Sequence, residues 1–193
     1  MAVKRSIPFT DGTYFITFTC YRWLQLIAVT NAYDLFYKWF DYLKGQGHHI
    51  VGFQLMPNHV HLIIAFRNTG RQINKTVGDG KRFVAYGIIE RLKANEERQL
   101  LQQLEQGVNN SDRKRGKLHE VWEDSFDWKE CRSTEMILQK LNYMHCNPCR
   151  GRWALVENPA DYTHSSAAFY ITGVQGIYPV TNFMDLLDID LTK

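Results

Sequence analysis

The stretch that most constrains the fold is Met56-Pro57-Asn58-His59-Val60-His61-Leu62-Ile63-Ile64, which reads on to Phe66. A Pro-Asn turn opens it, and alternating residues follow. Successive side chains of an extended strand point to opposite faces. Val60, Leu62, Ile64 and Phe66 therefore share a face suited to a core, while His59 and His61 share the other. Ile50 to Leu55, before the turn, is also strand-like, so the two segments form a hairpin. Two imidazoles side by side on a sheet surface provide part of a divalent-metal site. Such a pair is also common on solvated strands, so its partners must be sought along the chain.

Tyr14 to Cys20 alternates in the same way. Tyr14, Ile16, Phe18 and Cys20 form one face, with Thr17 and Thr19 on the other. Asn31 with Asp34 predicts a capped helix start. Leu35, Phe36, Trp39, Phe40 and Leu43 then make one helical stripe, and Gly45 and Gly47 stop it. From Gly70 to about Gly107 patchy periodicity predicts a short and a long helix, broken at Gly78-Asp79-Gly80 and split near Asn95. Val108 to Lys117 reads as a turn-rich basic loop. Leu118 to Trp122 and Phe126 to Lys129 read as short strands around Glu123-Asp124-Ser125. Ser133 caps a helix with Met136 three residues on and the stripe Ile137, Leu141, Met144; Pro148 ends it. Trp153 to Val156 reads as a small strand or docking segment, Tyr162 to Tyr170 as a helix, and the tail from Gly173 as irregular with a final helical patch.

The order β-α-β-β-α-β predicts an α+β fold: a ferredoxin-like or RRM-like antiparallel sheet with helices packed on one face, forming one domain over residues 1–193. With 45% hydrophobic residues the chain can build a real core. No apolar run approaches the roughly 20 residues that span a bilayer. Met1 to Ile7 has no hydrophobic signal core, so a cytoplasmic location and no membrane partner are expected. Cys20, Cys131, Cys146 and Cys149 are not spaced as a disulfide framework. Net charge is only +3, but it is clustered in Lys81-Arg82, in Arg113-Lys114-Arg115 with Lys117, and in Arg150-Gly151-Arg152. Basic clusters in a chain with 13% aromatic residues suit single-stranded nucleic acid. Each cluster taken singly is equally well explained as a solvated loop.

Tyr143 and Asn147 stand four apart beside the apolar stripe of the helix before Pro148, with Met136 and Lys140 on the same flank. The tyrosine offers a phenol; the asparagine offers a carbonyl oxygen that suits a hard cation. Singly, they read as an interfacial tyrosine and a helix-end cap. Joined to the histidine pair they make a nucleophile, a cation site and a further ligand. Asn147 precedes a proline, a position that resists α conformation, so it belongs to a frayed helix end. Other chemistries fit less well. The next alternate position after the two histidines is Ile63, which breaks the three-histidine pattern of nucleotide hydrolases. Cys146-Asn147-Pro148-Cys149 invites a redox reading, but that chemistry wants its first cysteine at a helix N-terminus, and here the motif ends a helix. A zinc site on the same pair needs two more ligands; only His145 is adjacent.

Together, Met56-Pro57-Asn58-His59-Val60-His61-Leu62 and Tyr143-Met144-His145-Cys146-Asn147-Pro148 resemble the motifs of single-tyrosine HUH transposases, the insertion-sequence and REP-associated kind that act on single-stranded DNA. Val121-Trp122, Asp161-Tyr162 and Ser165-Ser166 also resemble segments of that family, and the likeness runs from about residue 13 to 170. A segment at about 70–117 looks expanded, and the tail beyond Gly173 matches no recognised motif of the family. The resemblance implies cleavage and rejoining of single-stranded or hairpin DNA, with Tyr143 forming a 5′-phosphotyrosine and releasing a 3′-hydroxyl. It implies a divalent cation, Mg²⁺ or Mn²⁺, held by His59, His61 and Asn147; ligand type alone also admits Zn²⁺. A phenol is only about one part in a thousand ionised at neutral pH, so attack needs such help. Lys81, Arg82, Arg113, Lys114, Arg115, Lys129 and Arg132 are the candidates for DNA phosphate contacts, and Trp23 or Tyr86 for base stacking. Many relatives form homodimers and others do not. The rival reading is a non-catalytic or domesticated RRM-like module that only binds single strands; it predicts aromatics where the histidines stand.

Overall fold

Period-two alternation sets the sheet. The structure, a computed structural model, describes residues 6–123, 126–151 and 153–193. Strand β1 (Gly12–Thr19) buries Tyr14, Ile16 and Phe18 on one face and turns Phe15 and Thr17 to the other. The hairpin is present as β2 (His49–Leu55) and β3 (His59–Phe66). β4 (Asp127–Glu130) pairs outside β1, giving an antiparallel sheet in the order β2-β3-β1-β4. Short α1 (Leu26–Val29) and α2 (Tyr33–Gly45) connect β1 to β2. α3 (Ile73–Ala94), α4 (Arg98–Gln106) and α5 (Asn110–Lys114) connect β3 to β4. α6 (Thr134–His145) and α7 (Ala167–Thr172) follow β4. Among the described residues no helix is long and apolar enough to cross a membrane.

The α+β class and the antiparallel sheet are as expected, but the helices are not confined to one face. Tyr14, Ile16, Phe18, Val60, Leu62 and Ile64 pack against the stripe of α2 and against Val77, Val84, Ile88 and Leu92 of α3. On the opposite face Phe15, Val51, Ile63 and Ala65 pack against Ile137, Leu141 and Met144 of α6 and against Phe183 from the tail. The reason lies in composition: the histidine face is apolar over half its length, and an apolar sheet face must be covered. Each of the three α6 side chains contributes about 2 kcal/mol of burial. The tail beyond Gly173 thus has a structural task, and Thr181 and Leu191 are tied by backbone hydrogen bonds to Ile50 and Asn68.

Several local expectations are corrected. Asn31 does not cap α2. It is left-handed (φ 46°), Ala32 takes the cap place, and Asp34 instead binds Arg91 at 2.7 Å and Lys38 at 3.1 Å. α3 runs unbroken through Gly78-Asp79-Gly80. Gly80 is there for close approach, because a Cβ at that place would lie 2.0 Å from Cε2 of Trp39. Gly80→Ala should therefore destabilise the domain by about 1–3 kcal/mol through overpacking, despite alanine's better helix propensity, as read by chemical denaturation. The helix does end at Asn95, as expected. Part of the basic loop is helical: Asn109 accepts from the Asp112 N–H at 2.9 Å and caps α5. Leu118 to Trp122 is not a strand; Trp122 alone bridges to Cys20. Asp124 and Ser125 of the expected turn lie outside the described residues. Trp153 to Val156 forms no strand. Tyr162 to Ser166 is not helical but runs along β2, with Leu55 and His164, and Ser166 and Phe53, joined by backbone hydrogen bonds of 2.9 and 3.0 Å. It covers what is otherwise an open sheet edge.

His48 gives the fold an acid-sensitive point. It is buried, its Nδ1 accepts from the Arg67 N–H at 3.1 Å, and burial together with the neighbouring His49 holds its pKa below the usual imidazole range. The neutral form is the folded form, so its contribution is complete above the unfolded imidazole value of about 6.5 and is lost as pH falls below it. Protonation puts a hydrogen on the accepting nitrogen and strands a buried N–H, at a cost of about 1–3 kcal/mol. Urea unfolding at pH 7.5 and 5.0 should show this loss, and His48→Asn should reduce it.

Candidate active site

The turn before β3 fixes the first histidine. Asn58 is fully buried; its Nδ2 donates to the Trp23 carbonyl at 2.8 Å and its Oδ1 accepts from His59 Nδ1 at 2.8 Å. With Nδ1 as the donor, the imidazole lone pair sits on Nε2. His61 is held from the other side. Its Nδ1 lies 2.8 Å from Thr17 Oγ1, and its ring stacks on Phe15 with centroids 5.5 Å apart. The two imidazole centroids are 5.0 Å apart. Burial of His61, with His59 and Lys140 adding to it, pushes its pKa down to about 3, so the ring is neutral at physiological pH.

α6 brings the phenol to this pair. Ser133 caps the helix, accepting from the Met136 N–H at 3.3 Å. Because Ile137, Leu141 and Met144 face the sheet, Tyr143 is set on the flank above β3 and β1. Its ring stands edge-on to His61, 5.5 Å between centroids, and to Phe15 at 6.2 Å, yet it is 51% exposed. Lys140, one turn earlier, places Nζ 5.9 Å from the Tyr143 ring centroid and 5.0 Å from that of Phe15. Cys146 remains in the right-handed helical region and Asn147 opens a 3-10 turn (Asn147–Cys149), so the chain stays coiled one turn beyond Tyr143. Asn147 is half-buried there and makes no hydrogen bond to either imidazole among the described residues. Cys146 and Cys149 are free thiols at a helix C-terminal end.

Over its full length the chain superposes on the structure of a REP-associated tyrosine transposase bound to a REP hairpin, with a TM-score of 0.60, 16% identity and coverage of 100% of this chain and 98% of that one. The chain has that transposase fold. A candidate transposase from Deinococcus radiodurans R1 also aligns, at a TM-score of 0.37 and 14% identity, over 74% of this chain and 95% of that one. No family model matches, and no curated protein matches significantly.

On the transposase fold the basic candidates separate into two groups. Lys129 on β4 is the cross-strand partner of Phe15, so it is exposed on the histidine face, and Arg132 follows just beyond, paired with Glu130 at 2.7 Å. Lys81, Arg82 and Arg115 instead line a groove of about 720 Å³ between α3 and the 115–123 segment, together with Tyr86 and Lys93. Arg113 is turned to the Glu105 carbonyl at 2.8 Å and Lys114 is exposed on α5; neither lines that groove. Lys81 reaches the Glu123 carbonyl at 3.4 Å, and the Glu123 carboxylate accepts from the Arg22 N–H at 2.8 Å.

Two functional candidates, Trp153 and His145, were not legible as such, and Trp23, expected to stack on a base, stands beside the histidine pair. Trp153 sits 6.3 Å from the His59 ring, and Trp23 sits 5.8 Å from it and is 54% exposed, so two indoles flank one imidazole. His145, buried and pushed down to about 4 by desolvation, lies 2.8 Å from Ser166 Oγ, which also binds the Phe53 N–H at 2.9 Å. It ties α6 to β2. Its sequence signals were its place inside the Tyr143–Pro148 motif and its position next to the cysteine pair.

Proposed function

We propose that the protein is a metal-dependent transposase that cleaves and rejoins single-stranded DNA through Tyr143. The observation that carries this is the packing of an exposed phenol against His61, which stands beside His59 on the same sheet face. Across the described residues no group of three or more His, Cys, Asp or Glu could hold a metal. In this reading a cation takes the two imidazoles together with an amide oxygen. The donors fit a divalent ion: Asn58 and Thr17 orient the rings from behind, and His61 is neutral without having to shed a proton. His59, His61 and Asn147 would hold Mg²⁺ or Mn²⁺, which when bound polarises the scissile phosphate and steadies the departing oxygen.

The chain's own residues do the rest. Tyr143 Oη forms a bond to phosphorus while the bond from phosphorus to the 3′ oxygen breaks; the phenol proton leaves to solvent and the 3′ oxygen takes one up. The product is a 5′-phosphotyrosine with a free 3′-hydroxyl, and reversal onto another 3′-hydroxyl rejoins the strand. Lys140 sets a positive charge beside the phosphate under attack. Phe15 and His61 keep the phenol ring from turning away. Lys129 and Arg132 contact backbone near the cut, and Lys81, Arg82 and Arg115 hold a more distant part of the DNA, with Tyr86 or Trp23 under a base.

A DNA hairpin with single-stranded flanks, incubated with the protein and Mn²⁺, should give a denaturant-resistant protein–DNA species and a released strand ending in a 3′-hydroxyl. Tight binding with neither product would favour the non-catalytic binding module instead.

A further inference from the structure

The histidine face also carries a buried acceptor with nothing to accept from. Gln54 on β2 is the antiparallel partner of His61, so it stands on the same face, on the opposite side of His61 from Thr17. It is fully buried; its Nε2 reaches Met56 Sδ at 3.6 Å, and its Oε1 has no hydrogen-bond partner among the described residues. Buried polar atoms are nearly always paired, so each exception asks for a cause. Tyr14 Oη and Trp39 Nε1 share the condition, but both are donors set among the aromatic rings of the other face, where a ring can accept. An amide oxygen has no such recourse. It needs a donor or a cation.

Its register along β2 sets it directly beside His61. A Cβ at Gly52 would lie 2.6 Å from Leu141 Cδ2 and from Met144 Cε, and Phe53 is joined to His145 through Ser166 Oγ. α6 thus lies over the face of β2 that Gln54 shares with Gly52 and that continues into His61.

We propose that Gln54 is a further residue of the cation site, its Oε1 supplying an oxygen ligand beside His61. The inference rests on reading His59 and His61 as cation ligands. Two imidazoles with the amide oxygens of Asn147 and Gln54 form an uncharged donor set. It leaves the cation's charge for the DNA phosphate and keeps coordination positions open, which suits Mg²⁺ or Mn²⁺. Nothing in the residue pattern marks Gln54, which lies between the strand residues Phe53 and Leu55.

Calorimetric titration of the DNA-free full chain with MnCl₂ tests this, comparing wild type, Gln54→Met, Gln54→Glu and His59→Ala. Gln54→Met preserves length, and a thioether is a poor ligand for a hard cation, so Mn²⁺ affinity should fall by about tenfold or more. Its cation-free melting temperature should hold or rise, since a stranded acceptor is removed. Gln54→Glu should bind Mn²⁺ more tightly than wild type; equal or weaker binding counts against the assignment. Wild-type affinity in Gln54→Met, with affinity lost in His59→Ala, overturns the role of Gln54 alone. A wild type that takes up no Mn²⁺ overturns the cation site and Gln54 with it.

Discussion

Tyr143→Phe should form no covalent DNA adduct and should cleave at least about 10³-fold more slowly than wild type, because the oxygen that becomes bonded to phosphorus is gone. The substitution is conservative in every other respect. The ring keeps its edge contacts with His61 and Phe15, and since Tyr143 is half-exposed, stability should change by no more than about 0.5 kcal/mol. Hairpin DNA binding should therefore be unchanged, which separates loss of chemistry from loss of fold. An adduct that survives in the phenylalanine variant would place the nucleophile elsewhere.

Removal of either imidazole should be nearly as severe. His59→Ala and His61→Ala should each lower metal-dependent cleavage by about 10²- to 10⁴-fold, and chelation with EDTA should reduce wild type to the same level. The two differ in structural cost. His61 stacks on Phe15 and meets Thr17 from a buried position, so its loss opens a cavity worth about 2–3 kcal/mol. His59→Ala leaves Asn58 Oδ1 without its donor, at about 1 kcal/mol, while the link from Asn58 to the Trp23 carbonyl remains. Thermal melting without added metal reads these costs apart from the kinetics. Equal cleavage by wild type with and without chelator would remove the case for a cation.

The sheet and the histidine face were legible because period-two alternation runs through Ile16 to Cys20 and through His59 to Leu62, and a one-residue slip would invert every side chain. The α6 stripe was legible for the matching reason at helical period, and it placed Tyr143 on the correct flank. What escaped was tertiary. Phe15 and Ile63 form the floor on which α6 docks, a contact that alternation alone does not announce. Gly78-Asp79-Gly80 looked like a stop, since the ring of Trp39 that makes glycine favourable lies 41 residues upstream of Gly80 and no local pattern reveals it. Lys81 and Arg115 belong to one groove although nothing in their spacing brings them together. Gln54 acquires meaning only from its register with His61.

The central claim is that one named phenol carries the broken strand. Protease digestion of the protein–DNA species, followed by nuclease trimming and mass spectrometry, locates the attachment directly. A nucleotide esterified through its 5′-phosphate to the peptide containing Tyr143 is the predicted result; attachment at any other residue, or no attachment under conditions where DNA is cut, would contradict it.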